Sequence, residues 1–142
     1  MKPIHILLVE DNEDDILLTT EVLEEFKICN QLSVVKNGKL ALDFIQKKDK
    51  FKDAERPDII ILDSNLPLKN GLEVLEVIKN DRATNSIPVV MLTTSSSETD
   101  ILKSYANHAN AFITKPVEVV DFLKANTGIK DFWLNLVQLP KS

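Results

Sequence analysis

Acidic side chains stand at the ends of two apolar runs: Glu10 and Asp11 follow Ile6-Leu7-Leu8-Val9, and Asp63 follows Ile59-Ile60-Ile61-Leu62. Two later apolar runs lead to Thr93 and Lys115. Carboxylates brought close together repel one another unless a cation lies among them. A hard ion such as Mg²⁺ suits such a group, because it takes oxygen ligands in octahedral geometry at roughly 2.0 to 2.1 Å and keeps positions for water and a phosphate oxygen. An ammonium group on the same rim supplies a mobile point charge for a phosphoryl group, and a hydroxyl supplies a donor. The constellation therefore reads as a pocket for a divalent cation and a phosphoryl group. Each residue by itself has a plainer reading: a lone Asp at a strand end is usually a turn residue or a helix cap, Thr93 could cap the next helix, and Lys115-Pro116 could be a strand exit. The weight lies in their recurrence at the ends of successive strands.

The elements that must position these residues alternate along the chain. Runs rich in Ile, Val and Leu cover Ile4 to Val9, Leu32 to Val35, Asp58 to Leu62, Val89 to Leu92 and Ala111 to Thr114. Between them, apolar residues fall at helical spacing: Leu40, Ala41, Phe44 and Ile45, then Leu72, Leu75 and Ile78, then Ile101, Leu102, Tyr105 and Ala106. Runs such as Ile59 to Leu62 are apolar at every position, which implies burial on both sheet faces. The pattern predicts an α/β fold, a doubly wound five-stranded parallel sheet with helices on both faces. In such sheets ligands bind outside the carboxyl ends of the strands, near the point where strand order reverses. Strand order 2-1-3-4-5 would make the first and third strands neighbours, and Glu10, Asp11 and Asp63 would then converge. Asn12 or Asp14 can cap the first helix, Asn70-Gly71 marks a break before the third, and Ser97 with Asp100 resembles a capping box. Pro57 and Pro88 lie just before strands, and the polar stretch 47–56 reads as a surface loop.

Composition narrows the function classes. With 142 residues of which 44% are apolar, the chain is expected to form one domain around one core. Its net charge is −5, its only arginines are Arg56 and Arg82, and it has no basic run, so direct nucleic-acid binding lacks its electrostatic footprint. The single cysteine, Cys29, has no internal partner for a disulfide and reads as a half-buried thiol. No apolar run approaches the roughly 20 residues that cross a bilayer, and no leader is visible. A cytoplasmic location with no membrane contact is the expectation.

Taken together, these elements resemble the receiver domains of two-component response regulators, of the single-domain chemotaxis type. The matching segments are Leu8-Val9-Glu10-Asp11-Asn12, Ile61-Leu62-Asp63-Ser64-Asn65-Leu66-Pro67 followed by Gly71, Pro88 to Thr93, and Phe112-Ile113-Thr114-Lys115-Pro116. The likeness runs from residue 4 to about 126 and implies a flavodoxin-like fold; beyond it, the apolar spacing of the tail predicts a helical extension over about 127–142. It implies that Asp63 accepts a phosphoryl group from a phosphohistidine on a sensor histidine kinase. Mg²⁺ would be held by Asp11, Asp63 and the Asn65 carbonyl, with Glu10 acting through water. Thr93 and Lys115 would contact the phosphoryl group, and Phe112 would be the switch aromatic that reports phosphorylation to the fourth helix, fifth strand and fifth helix. The resulting acyl phosphate would hydrolyse slowly, which makes the protein a signalling phosphoacceptor rather than a conventional enzyme. The acidic run Glu10 to Asp15, interrupted only at Asn12, and the ending Phe132-Trp133-Leu134 are similar to small regulators paired with bacterial phytochrome-type kinases. Two departures stand out: Glu10 replaces the commoner Asp, and Asn107-His108-Ala109-Asn110 replaces a Gly-rich turn.

Around and past residue 126, Phe122, Ile129, Trp133, Leu136 and Val137 form an apolar stripe along an extended fifth helix. It either forms a homodimer interface, since large rings dominate contact energetics, or folds back on its own domain. Rival readings fit less well. A haloacid-dehalogenase-like phosphatase expects a second Asp two residues after the first, where Asn65 stands. A flavin-binding flavodoxin wants a Ser/Thr-rich phosphate loop after the first strand, where this chain has carboxylates. A receiver-like interaction module not regulated by phosphorylation remains the alternative, although all the site positions are chemically intact.

Overall fold

The computed structural model describes residues 5–25, 31–64, 66–68, 70–93 and 111–114. Five strands, β1 (His5–Val9), β2 (Gln31–Val35), β3 (Ile59–Asp63), β4 (Val89–Thr93) and β5 (Ala111–Thr114), form one sheet in the order β2-β1-β3-β4-β5. Every pairing is parallel. Three helices, α1 (Glu13–Glu25), α2 (Gly38–Ile45) and α3 (Gly71–Asn80), join the first four strands. The expected fourth and fifth helices, the tail stripe and Cys29 lie outside the described residues.

Topology dictates which side each helix takes. The chain passes from β1 to β2 in one direction and from β2 through β3 to β4 in the other. Parallel crossovers are right-handed, so α1 covers one face while α2 and α3 share the opposite one. Side-chain packing agrees. Leu7, Val9, Ile60, Leu62, Val89 and Met91 form one core cluster with Ala41 and Phe44 of α2 and Val74, Leu75 and Ile78 of α3. The intervening Ile6, Leu8, Ile59, Ile61, Val90 and Leu92 point to the other face and are equally buried, as is Leu23 of α1. Uninterrupted apolar strands are thus explained by cover on both sides, and each fully buried Leu or Ile contributes about 1.5–3 kcal/mol.

The stretch 47–56 is more structured than its polarity implies. Lys47 and Asp49 adopt positive φ of 57° and 52°. Lys48 N–H donates to the Asp43 carbonyl at 2.8 Å and Lys47 N–H to the Phe44 carbonyl at 3.2 Å. This bond pair closes α2 in a Schellman arrangement with lysine in the place usually taken by glycine. A 3₁₀ turn, Asp49–Phe51, follows, and the Phe51 ring packs 5.3 Å from that of Phe44. Phe51 and Ala54 therefore hold an otherwise charged loop against the core.

Candidate functional site

Level strand ends create the site. Val9 stands opposite Leu62 in the β1–β3 pairing, so Glu10 and Asp63 leave adjacent strands one step later. Both carboxylate residues are 1% exposed, whereas Asp11 is exposed. One ligand oxygen from each of Glu10, Asp11 and Asp63 lies within 4.8 Å of the others. Three anionic groups at this separation, two of them buried, call for positive charge among them. Their hard oxygen donors fit a divalent metal of the Mg²⁺ or Mn²⁺ kind better than a soft one.

Local hydrogen bonds hold each carboxylate in place. Glu10 N–H donates to the Val35 carbonyl at 3.1 Å, and Glu10 Oε1 accepts from Asn12 N–H at 3.1 Å. Asn12 caps α1: its Oδ1 accepts from Asp15 N–H at 3.0 Å and its carbonyl from Ile16 N–H at 2.9 Å. The first turn of α1 carries Glu13, Asp14 and Asp15, a favourable placement at the positive end of the helix dipole. Glu13 also pairs with Lys36, just past β2.

On the β3 side, Ser64 N–H donates to the Leu92 carbonyl at 2.8 Å, extending the sheet one residue past Asp63. The chain then turns through buried Leu66 and exposed Leu68, whose φ is 68°, into α3. Asn70 Oδ1 accepts from Glu73 N–H at 3.0 Å while Glu73 Oε1 accepts from Asn70 N–H at 3.4 Å. Sequence reading took Asn70-Gly71 as a break. The Asn-x-x-Glu spacing is the signal that identifies it as a capping box instead.

Of the residues expected from sequence, the structure brings Glu10, Asp11 and Asp63 together. Thr93 ends β4 opposite Thr114, which directly precedes Lys115, and Phe112 pairs with Met91; for Thr93 and Phe112 only the main chain is described. Asn65, Lys115, Phe122, Ile129, Trp133 and Leu136 lie outside the described residues.

A family model for the response regulator receiver domain matches residues 6–126. The chain belongs to that family. Among relatives of this receiver, the response regulator Rcp1 of Synechocystis sp. is 43% identical over 135 residues, covering 95% of this chain and 92% of Rcp1. The structure of Mn²⁺-bound Rcp1 superposes with a TM-score of 0.82 at 43% identity, covering 97% of the receiver and 99% of that chain. The phosphorylated cyanobacterial phytochrome response regulator RcpA gives 0.84 at 40% identity, with 99% and 100% covered. The bacteriophytochrome response regulator AtBRR gives 0.81 at 33% identity, with 100% and 97% covered. The receiver is thus a protein of two-component signalling with an acidic pocket able to hold a divalent metal. Among its described residues no helix is long and apolar enough to cross a membrane.

Proposed function

We propose that this receiver is a phosphorylation switch in which Asp63 accepts a phosphoryl group from a phosphohistidine of a sensor histidine kinase, in a Mg²⁺-dependent reaction. One observation carries the reading: the buried Asp63 carboxylate shares a 4.8 Å cluster with the carboxylates of Glu10 and Asp11. An Asp63 oxygen attacks phosphorus, the phosphorus–nitrogen bond breaks, and the imidazole leaves to be protonated. Such transfer depends mainly on placement and charge stabilisation. Asp11, Asp63 and the Asn65 carbonyl would hold Mg²⁺, with Glu10 contributing through water. Bound there, the ion would neutralise charge developing on the phosphoryl oxygens. Lys115 supplies a further cation, and Thr93 donates a hydroxyl hydrogen bond.

Phosphorylation adds about 1.5 to 2 negative charges by analogy with other side-chain phosphates. Thr93 moving toward that charge vacates space for Phe112, and this rearrangement changes the surface that includes β5. Hydrolysis of the acyl phosphate resets the state slowly. The stripe through Phe122, Ile129, Trp133 and Leu136, which runs from the receiver core into its helical extension, pairs two copies. Likeness to RcpA and AtBRR supports a phytochrome-type kinase as the cytoplasmic phosphodonor. Incubation with acetyl phosphate and Mg²⁺, followed by intact mass measurement, tests the acceptor: wild type gains one phosphoryl group and Asp63→Asn gains none. Equal labelling of the two would overturn the assignment.

A further inference from the structure

Gly71, the first residue of α3, bears directly on the main chain that carries Asp63. Its N–H donates to the Ser64 carbonyl at 3.0 Å. A Cβ at this position would lie 2.2 Å from the Asp63 carbonyl oxygen, 2.7 Å from Ser64 Cα and 3.0 Å from the Asp63 carbonyl carbon. All three are main-chain atoms, so no flexible side-chain end is available to yield. No described glycine has positive φ, so close approach, rather than backbone conformation, is what requires glycine here.

Neither partner in this contact is loose. β3 is buried throughout and paired on both sides, and Ser64 is tied to Leu92 beyond its end. α3 is anchored by buried Val74, Leu75 and Ile78, and its start is closed by the reciprocal bonds of Asn70 and Glu73. A methyl group would have to displace one of these two elements, and close-packed interiors transmit such strain instead of absorbing it.

We propose that Gly71 is a positioning residue for the phosphoacceptor: its missing side chain lets the first turn of α3 act as a backstop that sets the place of the Asp63 carboxylate relative to those of Glu10 and Asp11. The inference rests on Asp63 being the acceptor. A misplacement of about 1 Å can slow a positioned reaction by roughly 10²-fold.

The test compares wild type, Gly71→Ala, Asn70→Ala and Leu23→Ala by thermal unfolding, by Mn²⁺ binding followed by electron paramagnetic resonance, and by phosphoryl incorporation from acetyl phosphate at saturating Mg²⁺. Folded Gly71→Ala is expected to bind Mn²⁺ more weakly and to incorporate phosphoryl groups about 10- to 100-fold more slowly. Leu23→Ala, a fully buried position of α1 on the other face of the sheet, is expected to lose stability through its core cavity while keeping wild-type metal affinity. Asn70→Ala, which loosens the start of α3 without adding a methyl, is expected to show a smaller loss of rate. Wild-type affinity and rate in Gly71→Ala would overturn the proposal, as would equal losses in Leu23→Ala. Should Gly71→Ala not fold, Asn70→Ala decides, and wild-type behaviour there counts against the backstop. Equal labelling of wild type and Asp63→Asn would instead remove the acceptor assignment, while Mn²⁺ affinity would still report on Gly71.

Discussion

The two ends of the sheet handle charge in opposite ways. Beyond the carboxyl ends of β1 and β3, three carboxylates gather within 4.8 Å. Around the amino ends, polar groups are tied individually to main chain or to a neutral partner. His5 N–H donates to Asp58 Oδ2 at 2.9 Å, and the His5 ring Nε2 lies 2.8 Å from Ser33 Oγ. Lys79 Nζ donates to the Ile87 carbonyl at 2.7 Å, Thr84 Oγ1 to the Ile78 carbonyl at 2.7 Å, and Arg56 to the Ala83 carbonyl and Ser86 Oγ. A parallel sheet gives both ends the same scaffold. The amino end uses it to tie most of its polar groups to fixed partners, the buried His5 Nδ1 excepted, while the carboxyl end gathers like charge in a cluster able to hold a divalent cation.

The contrast breaks most visibly at Asp63. In wild type, Mg²⁺ at a hundred times its dissociation constant adds about 2.7 kcal/mol of stability by mass action, and in Asp63→Asn most of that gain is lost. Without metal the order reverses, because removing one of three like charges makes Asp63→Asn more stable by about 1 kcal/mol. Thermal unfolding in chelator and in Mg²⁺ reads both outcomes; equal metal responses in the two proteins would mean that the cluster does not bind the ion.

At the opposite end, Thr84→Val leaves the shape but removes a buried donor. It should lower stability by about 1–2 kcal/mol, measured by urea unfolding, with no change in Mg²⁺ affinity. A change in metal affinity would show that the two ends are coupled.

Lys47 offers a gain of similar kind at the same end. Its left-handed backbone at the close of α2 disfavours any side chain, so Lys47→Gly should raise the urea midpoint by the equivalent of about 0.5–1 kcal/mol. A lowered midpoint would mean that the lysine side chain stabilises this turn.

The smallest effect concerns Lys79, whose pKa is lowered from 10.5 by burial. Between that lowered value and 10.5 the unfolded chain binds more protons than the folded one, so this group's contribution to stability rises with pH and levels off above the window. Relative to Lys79→Met, wild type should therefore gain stability as pH climbs toward 10.5. Parallel pH profiles from urea unfolding would contradict this.

Much was legible before any coordinates. Apolar runs without alternation announced strands buried on both faces, and β1, β3, β4 and β5 lie within one residue of the limits that the runs mark wherever those limits are described. Acidic residues at the ends of two such runs located the pocket, because strand ends are where a parallel sheet opens to ligands. Local spacing also carried the Asn70–Glu73 capping box, which a reading focused on Gly as a breaker passed over.

Tertiary structure alone decided how these residues differ from one another. Glu10 and Asp11 are neighbours of like charge in the sequence, yet one is buried with Asn12 N–H on its Oε1 and the other is exposed. Phe51 and Phe44 meet because a left-handed lysine turns the chain back, and Gly71 meets Asp63 because of the path taken through Leu68. Periodicity and residue type report how a segment sits against water, so they mark strands, faces and charged ends. Contacts between segments depend on where turns send the chain, and that is settled only when the whole core packs.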